Sequence, residues 1–248
     1  MNATVAQLTS RAVLGRRRAL LLLLLPVALL LVCVVARALA GTADPAGEAG
    51  HALAAELLNG FGLAVVLPLL ALIAGTGAIG PEIDDGSIVY LLAKPLRRST
   101  IVVTKVLVAI GVVLLFGVVP VLIGGVVMTG ELGEVALGSA VGSLAAGVAY
   151  SAVFLLLAVV SRNVVVVGLL YALIWESLIG QIVPGAQALS ILQWSLALTE
   201  AVAGGDAEAL GITSAVSLPV GAILLTLVTV GATWYASRRL RTIRLSED

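Results

Sequence analysis

A chain of 248 residues that is 60% hydrophobic and 11% charged, with a mean hydropathy of +1.17, lies far outside the composition of soluble domains, so lipid is its expected solvent. Its 14 basic and 14 acidic residues cancel, which argues against bulk binding to nucleic acid. Cys33 is the single cysteine, which excludes an internal disulfide and a cysteine metal cluster and reads as an apolar filler.

A crossing helix needs roughly 20 mainly apolar residues to traverse about 30 Å of hydrocarbon. The chain offers that pattern near 19–39, 57–79, 101–128, 135–160, 164–183 and 214–236. These runs are too long and continuous for the alternating strands of a barrel, and backbone groups in lipid must pair within their own segment. The predicted fold class is all-α: a polytopic membrane protein with about six transmembrane helices over 19–236. A segment 1–18 precedes them and a basic tail 237–248 follows.

Within 1–18, Val5, Leu8 and Ala12 at helical spacing, opposite Gln7, Ser10 and Arg11, fit a short interfacial helix; a frayed polar tail is the alternative. Arg16, Arg17 and Arg18 before an apolar run that ends in Ala38-Leu39-Ala40 imitate a secretory signal. The run is longer than a signal core and Arg37 intrudes beside the would-be cleavage site, so the first span is expected to be retained. His51, the sole histidine, falls in an outer loop and reads as a solvated residue. Pro26, Pro68, Pro120 and Pro219 fall inside four predicted spans and favour kinks there. Gly75-Thr76-Gly77-Ala78-Ile79-Gly80 has the spacing of a dinucleotide loop but ends a span instead of following a strand, so its glycines read as close-packing positions.

The loop 80–100 joins the second and third spans. Gly86 breaks the chain, Ser87 can cap, and Ile88, Leu91, Leu92 and Pro95 at i, i+3, i+4 and i+7 give a short helix with one apolar face. Pro95 ends it, and Ser99 can cap the third span. With Glu82, Asp84 and Asp85 at one end and Lys94, Arg97 and Arg98 at the other, this segment is a plausible docking surface; a plain connector is the alternative.

The fourth span carries Gly138, Gly142 and Ala146 four apart, with Ser139, Ser143, Gly147 and Ser151 on an adjoining stripe, so another helix can approach closely, in the same chain or across a dimer. Arg162 and Asn163 terminate helices. Glu176 is the one acid well inside a span, followed by Ser177 and Gln181; such a group marks a translocation path or a hydrogen bond to a neighbouring helix. The segment 184–213 is too polar to span and too apolar to be disordered. It should dip into the outer leaflet as one or two short helices, with Trp194 at headgroup depth and a turn at Gly204-Gly205-Asp206.

Orientation follows from the basic residues. Thirteen of the fourteen, all except Arg37, fall in the ends and loops of one face, which places that face and both termini in the cytoplasm. The opposite loops carry Asp44, Glu48, Glu56, Glu131, Glu134, Glu200, Asp206 and Glu208.

At Glu82, Gly86, Ser87, Leu91, Leu92, Pro95, Arg98 and Lys105 the sequence resembles the membrane subunits of ABC exporters of the ABC-2 type, including the branch typified by copper-enzyme maturation permeases; Lys94 stands where that pattern often has serine. The motif is short, but the six-span layout and the outer segment before the last span agree along the chain. The resemblance implies a permease in the cell membrane, as in the cytoplasmic membrane of a bacterium, whose loop 80–100 forms a coupling helix on a separate cytoplasmic ATPase. Glu82, Asp84, Asp85, Gly86, Ser87, Leu91, Leu92, Lys94, Pro95, Arg97, Arg98 and Lys105 would be its coupling residues. It also implies a second permease copy, with the small residues and the outer segment bordering a path at the dimer interface. ATP and Mg would be held by the partner ATPase, since no Walker A lysine loop occurs in this chain and no cofactor is expected on it. Three rivals remain. An intramembrane enzyme would need a second reactive group beside Glu176; an ion-coupled secondary transporter would need repeats and further membrane acids; a membrane anchor or assembly protein needs neither.

Overall fold

The computed structural model describes residues 3–40, 47–85, 98–161, 163–179 and 185–242, and no strand occurs among them. Ten α-helices carry the described chain. α1 spans Ala3–Val13 and α2 spans Arg16–Leu39. α3 (Glu48–Glu56) runs through a π-helical stretch, Leu57–Val66, into α4 (Leu67–Asp84). α5 (Arg98–Val113) passes likewise through Leu114–Val118 into α6 (Val119–Thr129). α7 spans Glu134–Val160, and α8 (Val164–Leu170) continues as a π-helix over Tyr171–Ile179. α9 (Ile191–Ala203) and α10 (Leu218–Thr242) complete the order.

Five of the described helical stretches are long and apolar enough to cross a membrane: Arg18–Leu39, Glu48–Ile83, Arg98–Thr129, Glu134–Val160 and Leu218–Leu240. The predicted fifth span corresponds to the shorter apolar helix that opens with α8, and its expected end lies outside the described residues. That helix begins beside Gly80 and Ile83 at the end of α4, with which Val164 to Val166 share a cavity. It leads to α9 at the opposite end, where Leu192 and Leu196 share a cavity with Ala49 and Leu53 of α3. A chain with this course is a polytopic all-α bundle.

Prolines explain two of the three π-helical stretches, Leu57–Val66 and Leu114–Val118. Pro68 and Pro120 lack the N–H that would bond four residues back, and each directly follows a widened stretch. Widening the turns before a proline gives the freed carbonyl another partner and keeps the span continuous. Pro219 departs from expectation: α10 starts at Leu218, four residues later than predicted, so Pro219 sits in the first turn, where no donor is lost. Ser99 likewise lies within α5 and not before it.

α7 is the hub, packed on α4, α9 and α10. Its glycines make this possible. A Cβ on Gly142 would collide with Thr199 Oγ1 of α9, and one on Gly138 would come within 3.0 Å of the Thr199 carbonyl. A Cβ on Gly147 would meet Val113 of α5 at 2.8 Å. The small-residue stripe is therefore filled by α9 and α5 of the same chain, which corrects the expectation that it borders a dimer interface. Gly75 of α4 lies against the Phe154 and Leu155 backbone, as expected of a close-packing position.

α2 and α10 lie at the periphery, with Leu20, Leu24 and Leu31 of the one and Ile223, Leu227 and Val230 of the other exposed as lipid-facing surface requires. α1 packs against α4 and α5. Its buried stripe is Val5, Thr9 and Val13, while Leu8 is 50% exposed, so the face differs from the predicted Val5, Leu8 and Ala12.

Candidate functional site

Two polar clusters stand out in this apolar bundle, one at each end. At the basic end, Lys105 of α5 is fully buried. Its Nζ lies 2.8 Å from the Glu82 carboxylate, donates to the Ala78 carbonyl at 2.5 Å and reaches Thr9 Oγ1 at 3.5 Å. One ammonium thus ties α1, α4 and α5 together. A buried charge is tolerated only when paired and fully bonded, and these contacts match the donors of an ammonium. Arg18 adds a bond to the Gly77 carbonyl at 3.4 Å, and a Cβ on Gly77 would crowd that guanidinium at 3.1 Å. Arg98, at the start of α5, donates to the Leu240 carbonyl near the end of α10.

Of the predicted coupling residues, Glu82, Lys105 and Arg98 are therefore brought into the bundle's own framework. Asp84 ends α4 and Asp85 follows it, exposed. Gly86, Ser87, Leu91, Leu92, Lys94, Pro95 and Arg97 lie outside the described residues, as does Gln181. Ser177 falls in the π-helical stretch after α8.

The second cluster surrounds Glu176, which is completely buried in that stretch. Its carboxylate accepts from Tyr171 Oη at 2.6 Å, Ser190 Oγ at 2.5 Å, and the backbone N–H groups of Ile191 at 3.1 Å and Leu192 at 3.2 Å. The last two are orphan donors of the first turn of α9, and the positive end of that helix faces the acid. Ser190 is the N-cap of α9, its Oγ also accepting from Gln193 N at 3.4 Å. Tyr150, stacked on Phe154 of α7, and Tyr171, edge-on to the same ring, wall the pocket. Of the two roles expected of Glu176, the structure shows the bond to a neighbouring helix, which joins α9 to the helix that opens with α8.

Sequence reasoning missed Ser190, Tyr171 and Thr9. Ser190 carried a signal, because serine followed three residues later by Gln193 is a capping-box spacing. Thr9 also carried one, since it lies four residues from Val5 and from Val13 on a single helical face.

The acidic end is held by backbone-directed bonds. Arg37, the one basic residue there, donates to the Val127 and Met128 carbonyls at 2.6 and 2.8 Å and so satisfies the C-terminus of α6, which Gly130 ends in a left-handed turn. Glu200 accepts from Ser214 N and Gln193 from Ala215 N, both at 3.0 Å, clamping the return from α9 to α10. Trp194 is 5% exposed and donates to the Ala188 carbonyl at 2.8 Å, so its ring packs inward against the bundle. His51 lies on α3, partly buried, 3.7 Å from Glu131, and is not a solvated loop residue. Gly204-Gly205-Asp206 forms the predicted turn, with Gly204 at φ +65°.

The family model described as ABC-2 family transporter protein matches residues 11–241. No curated protein matches the chain.

Proposed function

The chain belongs to the ABC-2 transporter family, and from that premise we propose that it is the permease subunit of an ATP-driven exporter, paired with a separate nucleotide-binding ATPase and a second permease copy. The ATPase holds ATP and Mg; this chain's part is mechanical. The observation that supports the reading best is the anchoring of both flanks of segment 86–97. On one side Glu82 pairs with Lys105, which also holds α1; on the other, Arg98 grips the end of α10. A push on that segment would reach α1, α4, α5 and α10 together, as a shift between packed arrangements and not as slack in a loop.

In this reading Asp84, Asp85, Gly86, Ser87, Leu91, Leu92, Lys94, Pro95 and Arg97 meet the ATPase, while Glu82, Arg98 and Lys105 pass the motion inward. Ser177 and Gln181 border the path, while Glu176, closed off by its four donors, obliges α9 and the helix that opens with α8 to move as one body. In this reading the basic end, which the positive-inside distribution favours for the cytoplasm, meets the ATPase, and the substrate leaves the cell from that side.

The test uses the chain purified in mild detergent with the ATPase that accompanies it. Asp84→Asn, Lys94→Gln and Arg97→Gln together spare the three framework residues and should abolish the stimulation of ATP hydrolysis by the permease. Unchanged stimulation, or no ATPase lacking membrane spans in the purified material, contradicts the proposal.

A further inference from the structure

Between α5 and α10, at the basic end, lies an open groove of about 720 Å³. Ser99 and Val103 of α5 form one wall, and Val230, Trp234 and Arg238 of α10 form the other. The groove is graded along its length. Arg238 is at the mouth, its guanidinium 5.5 Å from the centre of the Trp234 ring. Trp234 lies one turn deeper, about 6 Å along the helix, and Val230 about 12 Å deeper. Val103, Val230 and Trp234 are all exposed in the chain by itself.

We infer that this groove binds an anionic phospholipid of the cytoplasmic leaflet. The guanidinium lies over the indole at cation–π distance, and its fork of N–H donors suits bidentate contact with a phosphate. The Ser99 hydroxyl lines the same mouth and can add a donor. An indole at this level suits the headgroup boundary, and the valines beneath offer a wall to an acyl chain. At valine depth the Thr229 and Thr233 hydroxyls that also line the groove donate to carbonyls of their own helix, which leaves the lower groove suited to hydrocarbon. Charge complementarity selects which lipid enters: basic pockets between spans on the cytoplasmic side attract anionic headgroups, and Arg238 opens on the face that carries thirteen of the fourteen basic residues. The inference rests on the membrane setting alone and is independent of what the permease carries.

The test measures thermal unfolding and lipid retention by native mass spectrometry for the full chain in mild detergent. Phosphatidylglycerol should raise the unfolding midpoint and remain bound, and neither phosphatidylcholine nor inorganic phosphate should do so. Arg238→Gln should weaken the lipid effect about fivefold, the share expected of one cation at an anionic surface. Val230→Trp fills the slot without touching any charge and should remove the effect, whereas non-specific attraction would survive it. Equal effects of both lipids, an equal effect of inorganic phosphate, or phosphatidylglycerol retention unchanged in Val230→Trp overturns the assignment. A shift from dimer to monomer in that variant with lipid retention intact also overturns it, by making the groove a contact between copies.

Discussion

Replacing Glu176 should detach α9 from the fifth crossing, and the structure sets the size of the effect. Four donors converge on a carboxylate that has no access to solvent: Tyr171 Oη, Ser190 Oγ, Ile191 N and Leu192 N. Glu176→Gln keeps one acceptor oxygen, Ser190 can rotate, and one backbone donor is left facing an amide NH2, a loss of about 1–3 kcal/mol. Glu176→Ala strips all four donors of their acceptor and should cost roughly 3–5 kcal/mol, as when one member of a buried charged network is removed. Ser190→Ala loses one donor and the cap of α9, about 1–2 kcal/mol. The order alanine, then glutamine, then Ser190→Ala is read from unfolding in mixed micelles titrated with denaturing detergent. Hydrogen exchange adds a local readout, since the amides of Ile191 and Leu192 should lose protection in Glu176→Ala before those of α7. A Glu176→Ala chain as stable as wild type, with those amides still protected, refutes the reasoning.

Other consequences are as direct. Glu82→Gln leaves the Lys105 ammonium buried without its counter-charge and should destabilise more than Lys105→Met, with the Glu82→Gln/Lys105→Met double variant milder than the sum; a double-mutant cycle on unfolding measures this, and strict additivity would speak against the pair. Gly142→Ala should disrupt the seating of α9 because its Cβ collides with Thr199 Oγ1, whereas Gly80→Ala, with open space around it, should leave the unfolding midpoint unchanged or slightly higher. Thr199→Ala added to Gly142→Ala should recover part of the loss; a Gly142→Ala chain of normal stability would contradict the close packing of α7 on α9. Arg37→Gln should free two carbonyls at the end of α6 and lower stability by about 1–2 kcal/mol, which the same unfolding assay detects.

The membrane class and five of the six predicted crossings were legible because they depend on hydropathy and on the placement of arginine and lysine, both local properties of the chain. The basic ends do meet, as Arg98 with Leu240 and Lys105 with Thr9 demonstrate. What periodicity could not reveal was which surface a small residue faces. Gly142 reads the same whether α9 or a second chain fills its notch, and only the fold brings Thr199 there. Pro219 was misplaced because apolar residues on either side of Leu218 blur the start of α10, whereas Pro68 and Pro120 sit in uninterrupted apolar runs. Glu176 was visible as an anomaly, but its partners Ser190, Ile191 and Leu192 lie fourteen to sixteen residues on, beyond any helical spacing.

The central claim is that the basic end faces the cytoplasm and presents 86–97 to a motor protein. Cys33 is the only cysteine and is buried, so a cysteine placed at Arg97 in a Cys33→Ala background reports alone. With a membrane-impermeant maleimide, that residue should stay unlabelled in intact cells, react once the membrane is permeabilised, and be shielded when the ATPase is bound. Labelling of intact cells, or equal labelling with and without the ATPase, would contradict the account.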